Sequence, residues 1–269
     1  MSQLDGKTAL ITGGASGIGR VLGRRLLEEG IARLVIWDVQ EQALEATVSE
    51  LQRSGHVVEG ACLDLADPAS IRAAAQALAA AGIGIDLLVN NAGVLVGKPF
   101  AEHSFDDIRR ILEVNTAAPL YVTRLFLPHM LMQGKGHIVN IASAAGLISN
   151  PGMSTYCASK WAIVGWSDSL RLEMEKSGTG VKVTTVAPYY INTGMVAGVR
   201  SSVIPILDPA RVVERIILAI RTDRINLRLP WVVNLVPMLK GVLPARWFDL
   251  MVGRWLGIYR TMDHFRGRP

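Results

Sequence analysis

The hydrophobic residues of the chain form short apolar runs that are separated by longer stretches of helical period. The runs are rich in valine, isoleucine and leucine and alternate little between apolar and polar positions, which is typical of parallel strands covered on both faces. These runs predict strands near residues 7–12, 33–37, 57–62, 86–90, 137–142, 181–187 and 227–229.

Helices are predicted between the strands, because apolar residues recur there at the spacing of one helix face. Two helices begin at Pro68 and Pro209, each of which follows an aspartate that can cap the first turn. The helices are predicted near residues 17–29, 40–54, 68–81, 104–132, 154–176 and 209–221.

This alternation favours an α/β class, a Rossmann fold with a doubly wound parallel sheet of about seven strands flanked by helices. A closed barrel would need about eight comparable units, which the pattern does not supply. The Rossmann domain is predicted over residues 1–225, and residues 226–269 form an apolar C-terminal extension of the same domain. Ligand-binding residues are expected where the strands end.

Composition excludes several classes of protein. Of 269 residues, 50% are hydrophobic and 19% are charged, so the chain is not intrinsically disordered. Cys62 and Cys157 belong to no cysteine or histidine cluster, so neither a disulfide framework nor a metal site is predicted. No charged leader with an apolar run opens the sequence, which predicts a cytoplasmic location.

A glycine-rich turn, TGGASGIG at residues 12–19, follows the first strand and precedes a helix. Such glycines let the backbone approach a pyrophosphate at the helix amino terminus, although a simple tight turn has the same composition. Asp38 ends the second strand, where an acid can bind both ribose hydroxyls or cap a helix. Its carboxylate would repel the 2′-phosphate of NADP, and no basic residue follows at 39 or 40, so NAD is predicted.

Candidate acid–base chemistry lies in the stretch YCASK. Tyr156 and Lys160 are four residues apart in a predicted helix and therefore share one face. A tyrosine with a pKa of about 10 is a poor base, and a nearby ammonium lowers that pKa. Ser143, just beyond the fifth strand, can hold the same substrate oxygen. A tyrosine–lysine pair at this spacing also occurs on solvated helix faces.

With these motifs together, the sequence resembles the short-chain dehydrogenase/reductase family over essentially its whole length. The family's TGxxxGxG element matches residues 12–19, and its NNAG element matches residues 90–93. The resemblance implies hydride transfer between an alcohol carbon and a nicotinamide, with Tyr156 moving the hydroxyl proton. Four catalytic residues are implied, namely Asn115, Ser143, Tyr156 and Lys160.

In the implied roles, Ser143 orients the substrate oxygen and Lys160 lowers the pKa of Tyr156 while binding the nicotinamide ribose. Asn115 holds a water behind Lys160, a role that can coexist with that of a helix-kink residue. The implied cofactor-binding residues are Gly13, Ser16, Gly17, Ile18, Gly19, Asp38, Asp64, Leu65, Asn91, Ala92, Gly93, Tyr156, Lys160, Pro188, Ile191 and Thr193.

The implied substrate residues are Ser143, Tyr156, Tyr189 and Met195. Tyr189 departs from the family, which often has glycine after the proline at this point. The apolar stretch 194–207 fits either a mobile lid over an apolar substrate or a packed surface loop.

Segments such as LVIWDVQEQALEAT and HIVNIASAAGLIS resemble the branch of retinol dehydrogenases and hydroxysteroid (17-beta) dehydrogenases. This implies an NAD(H)-dependent enzyme for a lipophilic secondary alcohol, such as a steroid or retinoid. A 3-oxoacyl-carrier or other carbonyl reductase is an alternative, as is a non-catalytic NAD sensor or scaffold. The helices near 104–132 and 154–176 resemble those that pair in family oligomers, so a homodimer or homotetramer is expected.

The last 44 residues, 226–269, hold seven Lys or Arg against two acids and so carry the whole net charge of +5, with three of the six tryptophans. Pro237, Lys240, Pro244 and Arg246 interrupt the apolar run, which predicts that it does not span a membrane. Three uses stay open: a pocket wall with a subunit contact, packing within the subunit, or contact of residues 231–258 with an anionic membrane. The basic residues form no polar face, so nucleic-acid binding is not predicted.

Overall fold

A computed structural model of the protein describes residues 3–201 and 203–267, so Arg268 of the basic C-terminal stretch lies outside the described residues. Seven parallel strands form one sheet in the order β3-β2-β1-β4-β5-β6-β7, which confirms the predicted fold class. The strands are β1 Thr8–Thr12, β2 Arg33–Asp38, β3 Val58–Cys62, β4 Leu87–Asn90, β5 Gly136–Ile141, β6 Val181–Pro188 and β7 Asn226–Leu229.

Helices connect the strands and cover both faces of the sheet. They are α1 Gly17–Glu28, α2 Glu41–Arg53, α3 Pro68–Ala80, α4 Phe105–Leu112, α5 Ala118–Gln133, α6 Ser154–Lys176 and α7 Pro209–Arg221. The side chains of Asp67 and Asp208 accept hydrogen bonds from backbone N–H groups in the first turns of α3 and α7, as their position before a proline predicted.

One predicted helix is divided in the structure. The stretch 104–132 contains α4, a π-helical turn at Glu113–Ala117, and then α5. Pro119 lacks an N–H group and cannot donate to the carbonyl of Asn115 four residues earlier, which interrupts the regular helical hydrogen bonds. The interruption places Asn115 at a bend, where its side chain is free to bond elsewhere.

The core consists of two apolar layers, one on each side of the sheet. Helices α1, α2 and α7 contribute residues such as Leu22 and Ile216 to one layer. Helices α3, α5 and α6 contribute residues such as Ile71, Val122 and Leu170 to the other. Because both faces are covered, the strand residues between the layers are almost completely buried, as their continuous apolar character predicted.

After β7 the chain forms several short helices that the sequence pattern did not resolve. These are a 3₁₀ turn at Trp231–Asn234, α8 Leu235–Val242, α9 Ala245–Phe248, a π-helical stretch at Asp249–Trp255 and a 3₁₀ turn at Ile258–Arg260. Among residues 3–201 and 203–267, no helix has the length and apolar character that crossing a membrane requires. The boundary at residues 225 and 226 stays a prediction.

Candidate active site

The order of the strands places a cleft at the carboxyl ends of β1 and β4. These two strands are neighbours in the sheet. The chain leaves β1 toward β2 on one side and leaves β4 toward β5 on the other, so the loops after β1 and β4 diverge. A cavity of about 230 Å³ lies at this edge. It runs from the end of β2, at Asp38, past the glycine-rich turn to the residues that follow β5 and β6.

The glycine-rich turn after β1 requires glycine at specific positions. Gly13 has a φ of 66°, and a Cβ there would lie 2.9 Å from the Cα of Ala92. A Cβ on Gly19 would lie 2.3 Å from the carbonyl oxygen of Gly13, so any side chain would force the turn apart. The turn is therefore a close-packed cradle at the amino terminus of α1, which suits the pyrophosphate of a dinucleotide.

Asp38 lies at the end of β2 and is buried. One carboxylate oxygen accepts a hydrogen bond from the N–H of Ala15 at 3.0 Å, and the other accepts one from the N–H of Gln40 at 3.0 Å. Asp38 thus holds both the glycine-rich turn and the chain that enters α2. The second contact is close to the helix-capping role that the sequence left open for Asp38. Each oxygen keeps a further lone pair for a ribose hydroxyl.

The loop after β4 is tied to the end of β1. The Asn91 side chain donates to the carbonyl oxygens of Thr12 and Gly13 at 3.0 and 2.9 Å. The Thr12 hydroxyl accepts from the N–H groups of Asn91 and Ala92 at 3.0 and 3.2 Å. These four bonds fix both walls of the cleft relative to each other.

Arg110 is a cleft residue that the sequence reasoning missed. It lies on α4, lines the cavity and forms an ion pair with Asp64 after β3. Burial raises the pKa of Asp64, but the hydrogen bonds from Arg110 and from the N–H of Ala66 outweigh burial and hold the pKa below its usual value. Only the fold brings the two residues together, because they are 46 positions apart.

Tyr156, Ser143 and Lys160 line the same part of the cavity. The Lys160 Nζ lies 5.7 Å from the centre of the Tyr156 ring and donates to the carbonyl oxygen of Ile141 at 2.9 Å. The Ser143 Oγ accepts from the N–H of Ala145 at 3.1 Å, which fixes the hydroxyl at the end of β5. The three groups thus meet at one point of the cavity wall.

Burial controls the pKa values of this pair. It raises the pKa of Tyr156 above its ordinary value, and the hydrogen bond with Ser143 offsets only part of that rise. It lowers the pKa of Lys160 to about 8. The sequence reasoning expected Lys160 to lower the pKa of Tyr156, whereas the larger effect in this structure is desolvation, which disfavours phenolate and ammonium alike.

Asn115 is buried and does not line the cavity. Its side chain donates to the carbonyl oxygen of Val94 at 2.9 Å and accepts from the N–H of the same residue at 2.8 Å. A Cβ on Gly93 would lie 3.4 Å from the Asn115 Oδ1 and 3.7 Å from the Lys160 Nζ, so both polar groups flank this glycine. The helix bend therefore carries Asn115 to the neighbourhood of Lys160.

The end of the cavity formed by the residues after β5 and β6 is largely apolar. Tyr189 and Met195 line it as expected, and Tyr189 is held by a hydrogen bond of 3.1 Å between its hydroxyl and that of Ser201. Tyr190 and Ile258 were not predicted; Ile258 comes from the chain after β7, which the sequence could not place. The other unpredicted residues at this end include Leu95, Ala145, Ile148, Asn150, Met153 and Val196.

Most predicted site residues meet in this one cavity. Gly13, Gly17, Asp38 and Thr193 all line it, and a Cβ on Gly17 would lie 3.7 Å from the Cγ2 of Thr193 across the cleft. The lining also includes Ser16, Ile18, Asp64, Leu65, Asn91, Ala92, Gly93, Pro188 and Ile191. Gly19 and Asn115 support the wall from behind and do not line it.

Known proteins resemble this chain in sequence and in fold. A family model described as short chain dehydrogenase matches residues 7–203. Epidermal retinol dehydrogenase 2 of Mus musculus is 34% identical over 271 residues, which cover 99% of this chain and 87% of the relative. Estradiol 17-beta-dehydrogenase 11 of Pongo abelii is 34% identical over 250 residues, which cover 93% of this chain and 83% of the relative.

Solved structures share the whole fold. A short chain dehydrogenase/reductase from Burkholderia phymatum in complex with NAD has a TM-score of 0.80 and 30% identity, covering 95% of this chain and 98% of its own. A short-chain dehydrogenase from Sphingobium yanoikuyae in complex with NADPH has a TM-score of 0.76 and 29% identity, covering 92% and 93%. Similar folds thus bind either form of the cofactor.

Proposed function

The chain belongs to the short-chain dehydrogenase/reductase family, and from this premise we propose that it is an NAD(H)-dependent oxidoreductase that interconverts a lipophilic secondary alcohol and its carbonyl. The observation that carries the proposal is the position of Tyr156, Ser143 and Lys160. They line one cavity between a dinucleotide cradle and an apolar substrate pocket. Steroids and retinoids are the proposed substrate classes, in line with the names of the relatives.

Tyr156 acts as the general acid and base in this proposal. In alcohol oxidation its oxygen takes the hydroxyl proton of the substrate, and in carbonyl reduction it returns that proton to the oxygen. Ser143 donates a hydrogen bond to the same substrate oxygen and keeps it in line with Tyr156. Because burial disfavours a free phenolate, Tyr156 releases its proton most readily when a cation lies close by.

Lys160 supplies that cation. Its pKa of about 8 keeps it charged at neutral pH, and its Nζ lies close enough to stabilise negative charge on the tyrosine. In this proposal Asn115, whose Oδ1 lies near the same side of Gly93 as the Lys160 Nζ, holds a water that exchanges protons with Lys160. This relay would connect the buried pair with solvent.

The residues of the cofactor half fit NAD. The glycine-rich turn is close-packed where Gly13 and Gly19 lie, which brings its backbone to the amino terminus of α1 as pyrophosphate binding requires, and Asp38 offers carboxylate oxygens to the ribose. Lys160 and Thr193 both line the cavity, and in this proposal they hold the nicotinamide ribose and carboxamide. When bound, this cofactor supplies the hydride acceptor for alcohol oxidation or the hydride donor for carbonyl reduction.

Preference for NAD over NADP is expected to depend on Asp38. A charged hydrogen bond to ribose contributes about 1.5–3 kcal/mol, so wild-type kcat/KM should favour NAD by about tenfold or more. The double variant Asp38→Ser/Val39→Arg removes the carboxylate that repels the 2′-phosphate of NADP and adds a cation at an exposed neighbouring position. The ratio of kcat/KM for NAD to that for NADP should therefore reverse. Steady-state kinetics with both cofactors measure this ratio.

The single variant Val39→Arg is the matched control, because it adds the cation while Asp38 stays in place. It should shift the ratio less than the double variant does. Equal turnover of NAD and NADP by the wild-type protein would contradict the assignment.

Substrate hydrophobicity is expected to raise catalytic efficiency. Burial of one methylene contributes about 0.8 kcal/mol, so kcat/KM should increase about fourfold per methylene along a series of secondary alcohols until the pocket is filled. A series of alkan-2-ols, followed by steroid and retinoid alcohols, tests this with NAD. A flat or falling trend would contradict a lipophilic substrate.

We also propose a homodimer or homotetramer in the cytoplasm. The observation that favours assembly is a set of exposed apolar side chains on α4 and α5, namely Phe105, Leu112, Tyr121 and Leu125. Residues of this kind are enriched where subunits meet.

A further inference from the structure

The chain after β7 exposes an unusual amount of apolar surface. The three tryptophans Trp231, Trp247 and Trp255 are 72, 61 and 71% exposed. The other exposed apolar residues of this stretch are Val232, Met238, Val242, Met251 and Leu256. We call residues 231–258 the C-terminal segment. Large exposed apolar patches mark interaction sites, and tryptophan is favoured where a surface meets the headgroup layer of a bilayer.

The opposite side of the C-terminal segment forms part of the pocket wall. Val236, Phe248 and Val252 are buried in one apolar cluster with Leu147 and Tyr189 from the loops that follow β5 and β6. Ile258, at the end of the segment, lines the cavity itself. The inner face of the segment is therefore already occupied by the enzyme, and only the outer face is available for a partner.

The charges around the outer face are positive. Within residues 3–201 and 203–267, no carboxylate lies within 4.0 Å of the guanidinium groups of Arg246, Arg254 or Arg260. By contrast, Arg20 and Arg24 on α1 are both paired with one glutamate. Unpaired cations beside exposed tryptophans are typical of proteins that bind anionic lipid headgroups.

The two acids of this part of the chain do not neutralise the face. Asp249 is half-buried and accepts a hydrogen bond of 2.6 Å from the Tyr259 hydroxyl, which lies within the fold. Of these two acids, Asp263 alone is exposed. The net charge presented to a partner is therefore positive.

The chain that follows the C-terminal segment is hydrogen-bonded to residues 197–200. The N–H of Arg200 donates to the carbonyl oxygen of Thr261 at 3.2 Å, and the N–H of Arg266 donates to that of Ala197 at 3.0 Å. The chain that follows the segment thus runs along residues 197–200, next to the cavity-lining residues Met195 and Val196. The C-terminal segment and the chain that follows it therefore lie close to residues that line the pocket.

We propose that the outer face of the C-terminal segment docks on an anionic membrane surface, with the tryptophans at headgroup depth and the arginines on lipid phosphates. The partner of the face is a lipid surface and not a second copy. A symmetric contact between two copies would bring the same unpaired cations together, which repels. The inference rests on the proposed function, because a lipophilic substrate would then reach the pocket from the lipid phase.

Vesicle flotation of the full-length protein, without cofactor or substrate, tests the docking. The vesicles are phosphatidylcholine alone and phosphatidylcholine with phosphatidylserine. Arg246→Gln/Arg254→Gln removes two exposed charges, and Trp247→Ser/Trp255→Ser removes two exposed aromatic rings. Arg72→Gln and Leu218→Ser change exposed residues elsewhere on the molecule and are the matched controls.

Wild-type protein and both controls should float with the phosphatidylserine vesicles, and added salt should weaken that binding. The partition coefficient of the arginine variant should fall about fivefold per arginine, and the tryptophan variant should bind weakly to both vesicles. No flotation of the wild-type protein, or flotation of the variants equal to that of the controls, would overturn the proposal. The proposal would also be overturned if the tryptophan variant floated like the wild-type protein but had a lower molar mass in solution, because the face would then bind a second copy of the chain.

Turnover of a short water-soluble alcohol separates this proposal from the proposed function. The four exposed residues lie outside the catalytic groups, so both variants should keep that activity. Absence of alcohol turnover in every protein, with flotation intact, would contradict the proposed function and leave the docking in place.

Discussion

Tyr156→Phe is expected to lower kcat/KM for alcohol oxidation by about 10²–10⁴-fold, because it removes the only atom that moves the substrate proton in this account. The loss should appear mainly in kcat, since the ring that lines the pocket is kept and NADH should still bind. Steady-state assays of alcohol turnover measure kcat, and a fluorescence titration with NADH measures cofactor binding.

The control for this variant is Tyr121→Phe, which removes the same oxygen from an exposed tyrosine on α5. It should retain wild-type kinetics. If Tyr156→Phe kept its turnover while binding NADH normally, another group would have to carry the proton, and the assignment of Tyr156 would be wrong.

Lys160→Met is expected to abolish turnover and, at the same time, to stabilise the folded protein at neutral pH. Burial lowers the pKa of Lys160 from 10.5 to about 8, so folding disfavours its charged form. Replacement by an apolar side chain of similar length removes that cost but leaves the carbonyl of Ile141 without its donor. The net gain in the free energy of unfolding should be on the order of 2 kcal/mol.

The pH dependence of this gain follows from the direction of the shift. Below about pH 8, Lys160 is charged in both states and the folded wild-type protein carries the full cost. Between about pH 8 and 10.5 the folded state releases the proton while the unfolded state keeps it, so the wild-type protein gains stability as pH rises. The difference between the two proteins should therefore shrink through this range.

Denaturant unfolding at neutral pH and near the upper end of that range measures the difference. Lys135→Met, at an exposed position, is the matched control and should change stability little at either pH. A variant Lys160→Met that is less stable than the wild-type protein at neutral pH would show that the buried ammonium stabilises the fold, contrary to the burial argument.

Much of the architecture could be predicted from sequence because its causes are local. Buried strands such as β4 are continuous apolar runs, and helices such as α3 begin at an aspartate–proline pair. The strand-end motifs could be located for the same reason, since the carboxyl ends of parallel strands meet at one edge. The family resemblance then assigned roles that local patterns leave open.

What could not be predicted depends on contacts between distant parts of the chain. The ion pair of Arg110 with Asp64 spans 46 positions, and the hydrogen bond of Asn150 with Thr261 spans 111. For the C-terminal segment the sequence left a pocket wall as one of three uses, and only the fold shows its packing against the pocket. So are the pKa values of Tyr156 and Lys160, because burial is a property of the fold and not of a four-residue spacing.

The most direct test of the central claim is isotope transfer. The protein is incubated with NAD and a lipophilic secondary alcohol that carries deuterium on the carbinol carbon, and the mass of the reduced cofactor is measured. Hydride transfer assisted by Tyr156 predicts deuterium in the reduced cofactor with the wild-type protein and almost none with Tyr156→Phe. Failure of the folded wild-type protein to reduce NAD with any steroid, retinoid or long-chain alcohol, or formation of unlabelled reduced cofactor, would contradict it.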